Sequence, residues 1–147
     1  MHDREAIAAR LVAAVPMLDK RIGTALQLAQ AMKSGTLGAQ SELSAYLLPV
    51  GMRGGAADAA AGLFRQALDR LLGVVLVVRA ISDPLGARVV DALETTIEAV
   101  MRAIAGWAPG SAIGVYRFAR GELVSLDGGV ATYQLDFILD DQLRIAA

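Results

Sequence analysis

Gly51-Met-Arg-Gly-Gly-Ala-Ala-Asp-Ala-Ala-Ala-Gly62 is the stretch on which the reading of this chain turns. Leu47-Leu-Pro-Val50 enters it, and the apolar run Leu72-Gly-Val-Val-Leu-Val-Val78 lies beyond it. Such small side chains cannot build a core of their own, so the stretch reads as a surface loop, flexible or docked on a partner. It carries almost no chemistry: one Arg, one Asp, no His and no hydroxyl. A long loop without reactive groups on an apolar body points to assembly rather than catalysis.

Outward from the loop, Ser44–Val50 reads as a strand in which Pro49 fits an edge or terminal position. Phe64–Arg70 fits either a helix or a strand. Val74–Val78 reads as a strand buried on both faces, being four valines and a leucine in a row. Upstream, Asp3 caps a helix with Ile7, Leu11, Val15 and Leu18 at helical spacing and Arg4 and Arg10 outward. Pro16 ends that helix at Val15. Arg21–Thr24 reads as a short strand and Ala25–Lys33 as a short helix with Leu28 and Met32 at i, i+4, broken by Ser34-Gly-Thr36 and Gly38.

Downstream, Ser82-Asp-Pro84 reads as a turn into an amphipathic helix. Val89, Leu93, Ile97, Val100 and Ile104 form its apolar stripe, widened by Val90 and Met101, and Glu98 and Arg102 form an i, i+4 pair. After Gly106 and the turn Ala108-Pro-Gly110 come three strands: Ile113–Ala119, then Glu122–Leu126 past a turn at Arg120-Gly121, then Val130–Leu139 past the hairpin signal Asp127-Gly-Gly129. The sum is a single α+β domain, residues 1–147, with a mostly antiparallel sheet and two or three helices packed on one face.

Composition narrows the function. A net charge of -1 with scattered basic residues offers no field for phosphates, so specific nucleic-acid binding is not expected. The absence of cysteine removes disulfides, thiolate metal sites and a Cys nucleophile. The longest apolar run, Leu71–Val78, falls far short of the about 20 residues of a membrane helix, and the charged start Met-His-Asp-Arg-Glu is no secretory signal. A soluble, intracellular protein without membrane contact is the expectation. The mean hydropathy of +0.48 is high for a small domain. It signals either surface buried between subunits or a bias towards Ala.

Candidate chemistry is sparse. His2 is the only histidine and sits in what reads as a frayed terminus, so no His-based triad or metal site forms around it. Asp136, Asp140 and Asp141 cluster without the shaped loop a hard cation needs; they read as solvated charges or as partners for a neighbouring subunit's Arg. The pairs Glu94/Glu98 and Asp136/Asp140 lie in polar settings that would not shift a carboxyl for acid–base work. The pairs Gly54-Gly55 and Gly128-Gly129 lack the residues of a phosphate loop. Trp107 reads as a cap on the core. The expectation is therefore no enzyme, no cofactor and no metal, with an interface drawn from Met52, Arg53, Asp58, Arg65, Asp140, Asp141 and Arg144. Met52 and Arg53 read equally as an interface anchor or an ordinary exposed pair.

Tyr46-Leu-Leu-Pro-Val-Gly51, the Gly/Ala stretch, Gly73–Arg79, Ala105-Gly-Trp-Ala-Pro109, Arg120-Gly-Glu-Leu-Val124 and Tyr133-Gln-Leu-Asp-Phe137 follow one another in order. This series resembles the tail terminator (tail completion) proteins of Mu-like siphophages and prophages, over roughly residues 40 to 145. The resemblance implies an α+β subunit of a hexameric ring on the head-proximal end of the tail tube. Such a ring stops tube polymerisation and presents a joining surface to the head–tail connector, while DNA passes through it. The implied partners are further copies of the chain, the tail tube protein and the connector, in the virion tail and, during assembly, in the host cytoplasm. The family brings no catalytic residues. Competing readings are another ring-forming tail or head–tail adaptor protein, or a small cytosolic ligand-binding or enzymatic α+β domain.

Overall fold

Asp3 accepts a hydrogen bond from the Ala6 backbone N–H and so starts helix α1, Arg4–Ala14, which stops at Val15 because Pro16 follows. The computed structural model describes residues 2–39, 41–79, 87–110 and 114–146, with only the backbone of 87–89. A 3₁₀ turn, Pro16–Leu18, leads to the short strand β1, Ile22–Thr24. Thr24 and Gln27 form a reciprocal capping box at the start of helix α2, Ala25–Ser34, and Gly35 closes it in the left-handed region at φ 69°. Strands β2, Leu43–Ala60, and β3, Leu63–Arg79, follow; then helix α3, Ala87–Ile104, and strands β4, Tyr116–Asp127, and β5, Val130–Ala146. The expected turn Ser82–Pro84 lies outside the described residues.

The five strands form one sheet in the order β1-β2-β3-β5-β4. Only β1 against β2 is parallel, and the other neighbours are antiparallel. Helices α1 and α3 cover one face: Ile7, Leu11, Leu93, Val100 and Ile104 pack on Leu47, Val74, Leu76, Leu135 and Phe137. Helix α2 is the exception to a one-sided arrangement. Its Leu28 packs on Val75 and Val77 from the opposite face, so Leu72–Val78 is buried on both sides as its composition dictates. Met32 does not join Leu28 and stays exposed. The fold is α+β, with a mostly antiparallel sheet.

Three expectations need correction. First, Gly51–Ala60 is not a loop: β2 runs through it, paired with Leu63–Leu71 around the tight turn Ala61-Gly62, with one register break between Gly54 and Ala57. The ladder to β3, itself held on its other side by β5, supplies the backbone hydrogen bonds that these small residues cannot supplement with packing. Second, Phe64–Arg70 is therefore strand. Third, Arg120-Gly121 is not a turn. Strand β4 is continuous, and the sequence irregularity there is a register break against β5 between Phe118 and Arg120. The turn at Gly128-Gly129 is as expected: both glycines have positive φ, 58° and 78°, and Asp127 pairs with Val130 across them. Strand β5 extends beyond Leu139, to Ala146.

Candidate functional site

Beyond the helices, three strands continue as a ribbon made of β2 from Gly51, β3 back to Leu63 and β5 from Asp140. All ten residues Gly51–Ala60 are exposed, and at about 3.3 Å per residue they reach roughly 33 Å. The seven interface candidates fall on this arm. Asp58 stands opposite Arg65, and Arg65 opposite Arg144. Arg53 stands opposite Asp69, and Asp69 opposite Asp140. Met52 stands opposite Arg70, whose guanidinium lies 3.2 Å from the Met52 sulfur. Residues from three distant parts of the sequence thus share one ribbon.

The arm has two unlike faces. Strand alternation and the unbroken β3/β5 register put Met52, Ala57, Ala59, Phe64, Leu68, Leu143 and Ile145 on the side that α1 and α3 cover further along. Met52 and Ile145 are 66% and 52% exposed, so this apolar strip is open where the helices end. Arg53, Asp58, Arg65, Asp69, Asp140 and Arg144 lie on the other side. There the carboxylate of Asp69 is 3.8 Å from Arg53 and 3.9 Å from Arg117, which also reaches Asp140 at 3.5 Å. These long, exposed contacts form a mixed-sign patch that contributes little stability on its own.

The root of the arm is pinned. Arg70 Nε donates to Asp141 Oδ2 at 2.5 Å, with both side chains less than a quarter exposed. Burial alone would raise the Asp141 carboxyl. The Arg70 hydrogen bond, the Gln142 backbone N–H and the Arg70 charge outweigh it, holding the group below its ordinary value. His2 is not frayed: its Nε2 lies 3.1 Å from Leu71 O and its Nδ1 2.6 Å from the Tyr116 hydroxyl. A carbonyl only accepts, so Nε2 carries the hydrogen and Nδ1 accepts the Tyr116 O–H. Burial, opposed by the Leu71 bond and helped by the N-terminal charge, holds the imidazole below its usual range. Burial likewise pushes Tyr116 up to about 12.

Tyr116 continues a stack: its ring centroid is 5.8 Å from His2 and 6.1 Å from Trp107, and the Arg10 guanidinium lies 5.1 Å from the Trp107 centroid. Trp107 thus packs against the core, and the exit of α3 is anchored to β4 by two backbone bonds, the Gly106 N–H donating to Tyr116 O and the Tyr116 N–H to Trp107 O. An apolar cavity of about 480 Å³ opens beside His2, lined by Leu47, Pro49, Met52, Arg70 and Leu72. Sequence reasoning missed His2, Arg70, Asp69 and Arg117, because each acquires its role only when strands far apart in the chain are placed side by side.

Little here suits catalysis. Asp69, Asp140 and Asp141 each face an arginine, and Asp136 accepts from Gln134 at 2.8 Å and lies 3.9 Å from Arg120. Among the described residues no group of three or more His, Cys, Asp or Glu gathers as a metal site, and no described helix is long and apolar enough to cross a membrane.

A two-faced sheet with helices on its body and an exposed three-stranded arm is the architecture of a structural class of subunit rather than of a formed catalytic pocket. The family model for phage tail terminator proteins matches residues 1–147, the whole length, and the chain belongs to that family. The match includes the N-terminal helix, where the motif series was weakest. Among curated proteins nothing matches. The family is a structural one, so the chain is a component of the phage tail that works by contact with other tail components.

Proposed function

We propose that this chain closes the finished tail of a Mu-like siphophage. In this reading it forms a hexameric ring on the head-proximal end of the tail tube, stops tube polymerisation and gives the head–tail connector its joining surface. The ring assembles from the host cytoplasm, surrounds the DNA channel without binding DNA specifically, and needs no cofactor. The observation that carries the reading is the family match over the whole chain. The exposed arm, with Met52, Arg53, Asp58, Arg65, Asp140, Asp141 and Arg144, supports it as surface available to neighbouring copies, the tube or the connector. Closed rings of identical subunits need two different, complementary surfaces on each copy, and the arm and the body supply unlike ones.

The test is a phage in which this gene carries an early stop codon. Tails that overrun their normal length and fail to join heads are expected, with both defects rescued by the gene in trans. Tails of normal length joined to heads would overturn the reading. Labelling of the protein along the whole tube, rather than at its head-proximal end, would make it a tube component instead.

A further inference from the structure

The sheet has one open side along β2 and two open stretches on the far side. Strand β1 covers β2 only at Ala45–Leu47, so the backbone edge from Leu48 to Ala60 lacks a partner among the described residues. On the far side, among the described residues, β4 has no strand partner along Tyr116–Asp127, and β5 has none beyond Leu139, where Gly114 lies against Asp140. A free strand edge is a template for another strand, and proteins commonly blunt it with lysine, proline or bulges. Neither β2 nor β4 contains a lysine, and the one proline, Pro49, stands at the root of the arm.

The β2 and β4 edges complement each other. On the helix-covered side of the sheet, β4 exposes Phe118, Leu123 and Leu126, opposite Phe137, Tyr133 and Ala131. On the same side the arm part of β2 offers the small residues Gly54, Ala57 and Ala59, with Met52 before them and the Gln66 side chain lying beside Gly54. Large residues of one edge fit the small residues of the other. The lengths match too, ten arm residues against twelve in β4. Each edge is interrupted by two register breaks a few residues apart, the one blunting device that both strands carry.

Direction separates the two far-side edges. Within the sheet β2 and β5 run the same way and β4 runs against them. Rotation of one copy onto the next therefore sets β4 antiparallel to the next copy's β2, whereas β5 would meet it in the less stable parallel sense. Exposed apolar residues lie on both far-side strands, Phe118, Leu123 and Leu126 on β4 and Leu143 and Ile145 on β5, so direction rather than composition decides between the two edges.

We propose that the arm edge of β2 pairs antiparallel with β4 of a second copy of this chain, so that the sheet continues from subunit to subunit. The proposal rests on the ring reading and adds which surfaces meet and in what direction. Because β4 flanks the body and the arm lies beyond it, neighbours are offset along the strands, the stagger that a closed sheet with inclined strands requires.

The chain has no cysteine, so introduced thiols report cleanly. Single variants Ala57→Cys and Ala59→Cys on the arm are mixed with Leu123→Cys or Leu126→Cys and oxidised, with Gln30→Cys on the exposed side of α2 as the control partner. Cross-strand neighbours come within disulfide reach, so at least one arm–β4 mixture yields a linked dimer well above the control. In parallel, Leu123→Lys weakens assembly by at least about tenfold while the melting midpoint holds. A hexamer that forms without any arm–β4 cross-link above the control overturns this pairing and leaves the ring reading standing. A chain that stays monomeric and uncross-linked at every concentration overturns both.

Discussion

Strands β2 and β3 pass through two environments along one unbroken hairpin. Between Leu43 and Leu47 the inward side chains of β2 are buried, and β3 is buried from Leu72 to Val78 with helices on both faces. From Gly51 to Ala60 every residue of β2 is exposed, although its hydrogen-bonded ladder to β3 continues. The body half is held by packing, the arm half by backbone pairing and a few ionic contacts. An exposed half that adds so little to the core points to a use outside the subunit.

The comparison breaks most visibly by substitution in the body. Phe137 is fully buried on the helix face and meets Phe118 edge-on at 5.8 Å between centroids. Phe137→Ala therefore costs about 3–5 kcal/mol, measurable by urea unfolding. A loss below about 1 kcal/mol would contradict the placement of the core.

The boundary between the halves is sharpened by Arg70→Ala, which leaves Asp141 without its cation. With both side chains partly buried, the loss falls between the values for exposed and buried pairs, about 1–2 kcal/mol at neutral pH. The carboxyl of Asp141 sits below its ordinary value in the folded chain. Its contribution is thus complete above the unfolded-state value and is lost as pH falls through the folded one. The difference between wild type and variant should shrink in acid; a gap unchanged down to about pH 2 would remove the ion pair as its cause. The smallest effect belongs to the arm: Ala57→Ser should shift stability by less than about 0.5 kcal/mol in the same assay.

How far the sequence reveals all this follows the same division. The capping Asp3, the break at Pro16, the α3 stripe and the Asp127-Gly-Gly129 hairpin are local signals, and the chain folds as they direct. The central strand is legible because Val74–Val78 leaves no polar alternative. The arm is not, because glycine and alanine have no strand preference of their own and Gly51–Ala60 becomes β only through partners on β3. Part of its signal was present: Phe64 and Leu68 alternate with Arg65 and Asp69 at a period of two. Arg120-Gly121 misled for a related reason, since a register break and a turn both place glycine beside a charge. For the seven interface candidates the structure shows only where they stand: their arrangement in rows along the arm depends on the β3/β5 register, which no local signal in the sequence announces.

The account's central claim is that the arm serves assembly and the body serves stability. Its most direct test is a variant lacking Ala57–Ala60 and Leu63–Gln66, in which Ala61-Gly62 still closes the hairpin, followed by native mass spectrometry across a concentration series. The wild type is expected to reach a hexamer, while the shortened chain stays monomeric and unfolds within about 1 kcal/mol of wild type. A shortened chain that still assembles as the wild type does would contradict the claim.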